Sequence, residues 1–298
     1  MRLLISGGSA VAQKILIKED DTAFIAPDVS PNGKYIALTS KGYTGLWIVR
    51  SDGYDLKRVS DLRGSGYIKR WSPDSKWLLF RETTRENNQV KQHMKVVEVY
   101  TKNVSRINSP VKKFEDVRWY ADDKLYLLSE GKALYIRSGI IVKRNSKKNL
   151  PAVYTDSNKM YLERADRDTA DSIDPILGAN YLDPVLSPDG SKIAFQVVAG
   201  NLQVYELDNF QLHDLGRGER QRWSPDSDRI IYQITTDDGE RVTSSDIYLI
   251  DYDGTDKKQI TNTRYVHEMR PSFFPDGKRI IYDTDLLGEI RTMGVPLK

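Results

Sequence analysis

One four-residue turn signature returns along the whole chain and limits what it can fold into. Ser30-Pro31-Asn32-Gly33, Ser72-Pro73-Asp74-Ser75, Ser187-Pro188-Asp189-Gly190, Ser224-Pro225-Asp226-Ser227 and Phe274-Pro275-Asp276-Gly277 share it, and Tyr120-Ala121-Asp122-Asp123 is a worn copy. Proline presets φ for the first central position, Asp or Asn bonds its own backbone, and Gly or Ser tolerates the tight exit. Each copy is followed by a short apolar run, as in Lys34-Tyr-Ile-Ala-Leu38, Lys76-Trp-Leu-Leu-Phe80 and Arg279-Ile-Ile-Tyr282, which reads as a buried strand. A polar turn and a further strand come next, most plainly in Asp246 to Thr261, where Asp253-Gly254 is a hairpin signal.

Self-similar four-stranded units about 40 to 50 residues apart are the mark of propeller blades. One gap of about 67 residues, between Ala121 and Pro188, breaks the rhythm. Assigning Met160 to Leu177 to the third strand and turn of the preceding unit makes about 132–154 an inserted hairpin and gives six blades, with seven as the alternative. The fold class is therefore all-β: a six-bladed propeller of four-stranded antiparallel blades forming one domain over 13–298. The last unit is one strand short, and Gln13-Lys-Ile-Leu-Ile17 has the character of the missing strand. Pairing it there removes an exposed edge and closes the ring.

This combination of turn, buried strand and I-Y-x-x-D-x-D-G hairpin resembles the repeat of TolB-type propellers, and also that of the propeller domains of tricorn protease and prolyl oligopeptidase relatives. The resemblance covers about Gln13 to Pro296. It implies a protein or peptide partner docked at the channel mouth, and a periplasmic or extracellular location in a bacterium. Fold likeness does not carry an activity with it.

Composition narrows the classes further. With 45 basic and 42 acidic residues the net charge is +3, which lacks the concentrated positive field of a nucleic-acid binder. Cysteine is absent, so there is neither a disulfide framework nor a thiol nucleophile. No apolar run approaches the ~18 residues of a membrane span. Residues 1–12, with Arg2, Leu3-Leu4-Ile5 and Ala10-Val11-Ala12, read as a flexible terminus or the remnant of an export signal.

Three units carry Arg-Trp just before the turn: Arg70-Trp71, Arg118-Trp119 and Arg222-Trp223. Strand alternation sends neighbours to opposite faces, so if Trp packs between blades, Arg faces the channel. Asp28, Val185 and Ser272 take the Arg position elsewhere, with Arg270 two residues before Ser272. Converging guanidinium groups suit an acidic partner or a peptide carboxylate. The connections Arg81 to His93, Ser129 to Ser157 and Thr235 to Ser245 read as long loops on one rim, a usual seat of binding.

Lys132, Arg137, Lys143, Arg144, Lys147 and Lys148 form an acid-free basic stretch that reads as a solvated loop or a contact for an acidic partner. Among His93, His213 and His267, the pair His267-Glu268 on the same rim is the best catalytic candidate. Asp251-Tyr-Asp253-Gly-Thr-Asp256 lacks the bidentate Glu of a calcium loop. No cofactor is expected, a channel calcium ion being the alternative. The sequence thus favours a non-catalytic binding protein, with Arg70, Arg118, Arg222, Arg270, Asp28, His267 and Glu268 as its candidate partner-binding residues. The alternative is a propeller enzyme, a glycan lyase or hydrolase or a peptidase, acting on an acidic substrate.

Overall fold

A computed structural model describes residues 13–107, 109, 112–121, 123–130, 132–142, 152–156, 158–164 and 169–296. The expected signal remnant at 1–12, and Lys143, Arg144, Lys147 and Lys148 of the basic stretch, lie outside the described residues. Every sheet is an antiparallel ladder, and in all but the last blade the strands lie in sequence order from the innermost to the outermost.

The ring holds seven blades rather than six. Blade 1 runs through Phe24–Val29, Tyr35–Ser40, Thr44–Arg50 and Lys57–Arg63, and blade 2 through Lys69–Trp71, Trp77–Glu86, Gln89–Glu98 and Val104–Ile107. Blades 3 and 4 are three-stranded among the described residues: Asp116–Ala121, Lys124–Ser129 and Lys132–Arg137, then Ala152–Asp156, Lys159–Glu163 and Asp171–Ile173. Blade 5 comprises Tyr181–Leu186, Lys192–Val197, Leu202–Glu206 and Leu212–Gly216. Blade 6 comprises Glu219–Trp223, Arg229–Asp237, Val242–Asp251 and Lys258–Gln259. Blade 7 is Glu268–Phe273, Arg279–Thr284 and Ile290–Gly294, completed by Lys14–Ile17.

The blade missed in sequence is blade 4. Lys132–Arg137 pairs back onto blade 3 and Ala152–Asp156 pairs forward onto Lys159–Glu163, so the expected inserted hairpin at 132–154 is split between two blades. Met160 belongs to the second strand of blade 4, not to a third strand. Its turn joins Asp156 directly to Lys159 in register, with no room for Ser-Pro-Asp-Gly, and a search for that signature passes over it.

Closure follows the expected plan. Lys14–Ile17 pairs antiparallel with Ile290–Gly294, and Ile17 is buried with Phe24, Ile36, Phe274, Ile281 and Ile290 across the seam of blades 7 and 1. Gly53 turns beside this strand at φ +93, where a Cβ would lie 2.8 Å from the Leu16 carbonyl oxygen, so both the backbone and the close approach require glycine.

The turns hold themselves and one another. In blades 1, 2 and 5 the serine hydroxyl donates to the turn carboxylate or amide oxygen (Ser30 to Asn32 at 2.8 Å, Ser72 to Asp74 at 2.6 Å, Ser187 to Asp189 at 2.5 Å). The same hydroxyl accepts the backbone N–H five residues on. Ser75 and Ser227 close their turns in left-handed backbone at φ 61 and 64. Their hydroxyls accept the N–H of Asn32 and Asp189 in the preceding blades at 3.0 and 3.1 Å. Serine at that exit, where glycine is conformationally cheaper, thus ties blade 2 to blade 1 and blade 6 to blade 5.

Candidate functional site: a cation-rich tier in the channel

The first strands of the blades bring the Arg-Trp positions to the centre. Trp71, Trp119 and Trp223 insert between blades and donate their indole N–H to the carbonyls of Asp28, Arg70 and Val185 at 3.1, 2.9 and 2.9 Å. The residue before each Trp therefore turns the other way, as alternation requires. Asp28, Arg70, Arg118 and Arg222 form one tier, two residues before the tight turns and so nearer the tight-turn end of the channel than the long-connection rim.

Asp116, which the sequence reading did not single out, organises one side of this tier. One oxygen meets Arg70 Nη2 at 2.7 Å and the other meets Arg118 Nε at 2.7 Å. Burial works to raise its pKa, but the two guanidinium groups overcome that and hold it below the ordinary carboxylate range. Its position two residues before Arg118 on the same strand face was the available signal.

On the other side the charges are less well matched. Lys69 is 8% exposed and donates to the Gly66 carbonyl at 3.0 Å, and burial lowers its pKa to about 8 against the pull of Asp28. Arg222 donates to the Gln221 carbonyl at 2.8 Å. Its side chain meets solvent, yet protein surrounds it, and desolvation lowers its pKa despite Asp28. Burial raises the pKa of Asp28 against the influence of Lys69, Arg70 and Arg222. Among the described residues no carboxylate lies within 4.0 Å of Lys69 or Arg222.

Arg270 belongs to a second tier created by a recurrent bulge. Ala26, Asp183, Arg220 and Arg270, each four residues before its turn, have φ of 52, 47, 58 and 51, and the strand register slips at each. Bulges of this kind re-aim side chains. Arg270 is clamped by both oxygens of Asp283, Nε at 2.7 Å and Nη2 at 2.5 Å. Asp283 also accepts the N–H of Ala26 at 2.7 Å, and Gln233 accepts that of Arg270 at 2.7 Å. Arg220 and Asp183 pair at 3.6 Å. These pairs are neutral overall, so Arg270 adds no net charge to the first tier, and its blade is tied to its neighbours by Asp283 on the Ala26 N–H and Gln233 on the Arg270 N–H.

The remaining sites resolve differently. His267 and Glu268 are 7% and 0% exposed, so neither presents its side chain on the open rim. Burial raises the pKa of Glu268, and neither of its oxygens has a donor in hydrogen-bonding geometry. An enzyme needs its acid where substrate can reach it, and the structure does not bring this pair to the channel tier. His93 bonds Thr84 at 2.9 Å and His213 bonds Glu206 at 2.8 Å. Asp253 is engaged by the backbone and hydroxyl of Thr255 in the hairpin turn. Among the described residues no group of three or more His, Asp or Glu side chains is placed to hold a metal ion.

Two of the expected long loops are extended ribbons. Trp77–Glu86 and Gln89–Glu98 continue in register to a two-residue turn at Asn87-Asn88, both with positive φ. Blade 6 extends likewise from Arg229–Asp237 to Val242–Asp251. Within the described part of the basic stretch, Arg137 pairs with Asp123 at 2.8 Å.

No protein-family model and no curated protein matches the chain. Solved structures do. The β-propeller domain of Cps50 (Swd1) from Myceliophteria thermophila aligns with TM-score 0.65 at 10% identity, over 95% of this chain and 100% of that one. The GH74 enzyme of Niastella koreensis gives 0.64 at 12%, over 95% of this chain and 53% of that one. TolB from Acinetobacter baumannii gives 0.49 at 14%, over 95% of this chain and 56% of that one. The chain thus spans about half the length of the TolB and GH74 structures. No helix is long and apolar enough to cross a membrane among the described residues. One neighbour is an enzyme and another a propeller domain of different origin, and at such identities the likeness shows the fold alone: the chain is a seven-bladed β-propeller.

Proposed function

We propose that this protein is a non-catalytic binding module that receives an acidic segment of a protein or peptide partner at the channel mouth. The observation that carries the reading is the charge of the first tier. Lys69, Arg70, Arg118 and Arg222 gather on rigid inner strands with Asp28 and Asp116 as the acids of their own tier, while the neighbouring Asp183 and Asp283 are paired with Arg220 and Arg270, which leaves the tier positive overall. Such a field in a walled channel attracts anions, and guanidinium groups bind carboxylates in a fixed, two-pronged geometry. The turn repeat's resemblance to TolB-type propellers agrees with a partner-docking role and with a periplasmic or extracellular location in a bacterium.

The test uses a defined probe: a fluorescent Glu-rich peptide titrated with wild-type protein and with the Arg70→Ala, Arg118→Ala, Arg222→Ala triple variant. Wild-type affinity should fall as salt is raised, and the triple variant should bind at least about tenfold more weakly, a loss of about 1.4 kcal/mol. Equal affinity of the two proteins would overturn the reading.

A further inference from the structure

Arg70 and Arg118 are long, flexible side chains, yet each is fixed at two of its nitrogens. Arg70 Nη1 donates to the Lys69 carbonyl at 3.0 Å and Nη2 to Asp116 Oδ1 at 2.7 Å. Arg118 donates through Nε to Asp116 Oδ2 at 2.7 Å and through Nη2 to the Val153 carbonyl at 3.3 Å. Asp116 is itself seated by the N–H of Val117 at 2.9 Å. One carboxylate thus aligns a guanidinium of blade 2 with one of blade 3, and the second of these also reaches blade 4. Arg70 Nε and Arg118 Nη1 have no hydrogen-bond partner among the described residues. With side chains 38% and 33% exposed, both guanidinium groups are open to the channel.

We propose that Asp116 is a positioning residue that holds Arg70 and Arg118 as a preformed receptor for one carboxylate group of the partner. The inference deepens the reading of the channel as the seat of an acidic segment and rests on it. A site that used only its positive field would bind anions better without Asp116, because that carboxylate offsets one of the two guanidinium charges and repels an incoming anion. What Asp116 adds is order. Free arginines give up rotamer freedom when a ligand arrives, whereas these two have given it up in the folded protein. Their remaining N–H groups meet a carboxylate as charge-assisted hydrogen bonds, in a planar geometry that lysine does not offer. Charge compensation and positioning therefore predict opposite signs for the removal of Asp116.

The experiment titrates two fluorescent peptides with the full chain and with Asp116→Asn, Arg70→Lys and Arg118→Lys. One peptide is Glu-rich and blocked at both ends; the other is neutral except for a free C-terminal carboxylate. Asp116→Asn makes the tier more positive and should nonetheless bind about fivefold or more weakly. That ratio should widen as salt is raised, since salt screens the gain in charge and leaves the loss of order. The two lysine variants keep the charge and should also bind about fivefold or more weakly. The unfolding transition of each variant checks its fold, and the lysine variants decide the matter if Asp116→Asn does not fold.

A folded Asp116→Asn that binds as tightly as wild type or more tightly would overturn the positioning role, and so would lysine variants of unchanged affinity. The two peptides separate this idea from the one it rests on. Glu-rich binding that Asp116→Asn retains or improves defeats the positioning role alone. Binding of the chain-end peptide alone, weakened in Asp116→Asn, defeats the acidic-segment reading and keeps the positioning role. If wild type binds neither peptide, both fall.

Discussion

Trp119 of blade 3 donates its indole N–H to the carbonyl oxygen of Arg70 in blade 2 at 2.9 Å. The acceptor belongs to a residue whose side chain points to the channel. The seam between blades and the cationic tier are thus fixed by the same backbone unit. Trp71 holds Asp28 and Trp223 holds Val185 in the same way, so a packing residue positions Asp28 and Arg70 of the tier from behind, and Val185 at the matching position of blade 5.

Replacing Trp119 with Phe keeps most of the apolar contact and removes the donor. The Arg70 carbonyl loses that partner, and the variant should be about 1–2 kcal/mol less stable, read as a lower urea midpoint at unchanged slope. Trp223→Phe should cost a similar amount. Its acceptor belongs to Val185, an uncharged position, so the two variants should differ in anion affinity while agreeing in stability.

Lys69 carries a stability cost where it sits. Its folded pKa of about 8 lies below the ordinary lysine value of 10.5. The fold therefore penalises the charged form: the penalty is complete below about 8 and is relieved as pH rises toward about 10. At pH 7 Lys69→Met should be more stable than wild type by about 1–3 kcal/mol, and the gap should narrow as pH is raised through that window. Urea titrations at several pH values check both parts. A variant less stable at pH 7 would show that the ammonium is well compensated where it sits.

The acid limb should report the turns. Burial opposes ionisation of Asp189, yet hydrogen bonds from Ser187 and Ser191 and the charge of Lys192 hold its pKa at about 2. The folded value is depressed, so its stabilisation is complete above about pH 4, the unfolded range, and is lost as pH falls toward about 2. The carboxylate is 46% exposed, and screening limits the effect to about 1 kcal/mol or less. Asp189→Asn should lower stability at pH 7 and leave it nearly unchanged at about pH 2, as read by the thermal midpoint.

Asp283 is wholly buried and serves two blades, clamping Arg270 and capping the bulged N–H of Ala26. Asp283→Ala would leave a guanidinium that is 18% exposed without its counterion, at a cost of about 3–5 kcal/mol. Asp283→Asn retains an acceptor for Ala26 and should fall between that variant and wild type. Equal losses for Ala and Asn in urea unfolding would assign the whole effect to the charge pair.

The parts legible in the sequence are those whose chemistry is local. A Ser-Pro-Asp-Gly turn needs particular residues at particular offsets, so the blades that use it announced themselves, as did the closing strand at Lys14–Ile17. Blade 4 turns directly from Asp156 to Lys159 and was passed over. The bulge four residues before the turn could not be read, because Ala26, Asp183, Arg220 and Arg270 share a backbone angle and no chemistry. Arg70, Arg118 and Arg222 were visible as a repeated pair with Trp. Asp116 and Asp283 were not, since which carboxylate meets which arginine is decided by contacts across and between blades.

Closure of the ring gives the last prediction. Ile15 and Ile17 lie on one short strand, yet Ile15 is 49% exposed and Ile17 only 5%. Ile17 packs with Phe24 and Ile36 of blade 1 and with Ile281 and Ile290 of blade 7, so its side chain joins the two ends of the chain through a shared core. Ile17→Ala opens a cavity there and should cost about 2–4 kcal/mol, whereas Ile15→Ala should stay within about 0.5 kcal/mol. If both variants unfold at the wild-type urea midpoint, the strand closes the ring through backbone hydrogen bonds alone. If only Ile17→Ala shifts, the seam is held by burial, and opening of the ring should begin between blades 7 and 1.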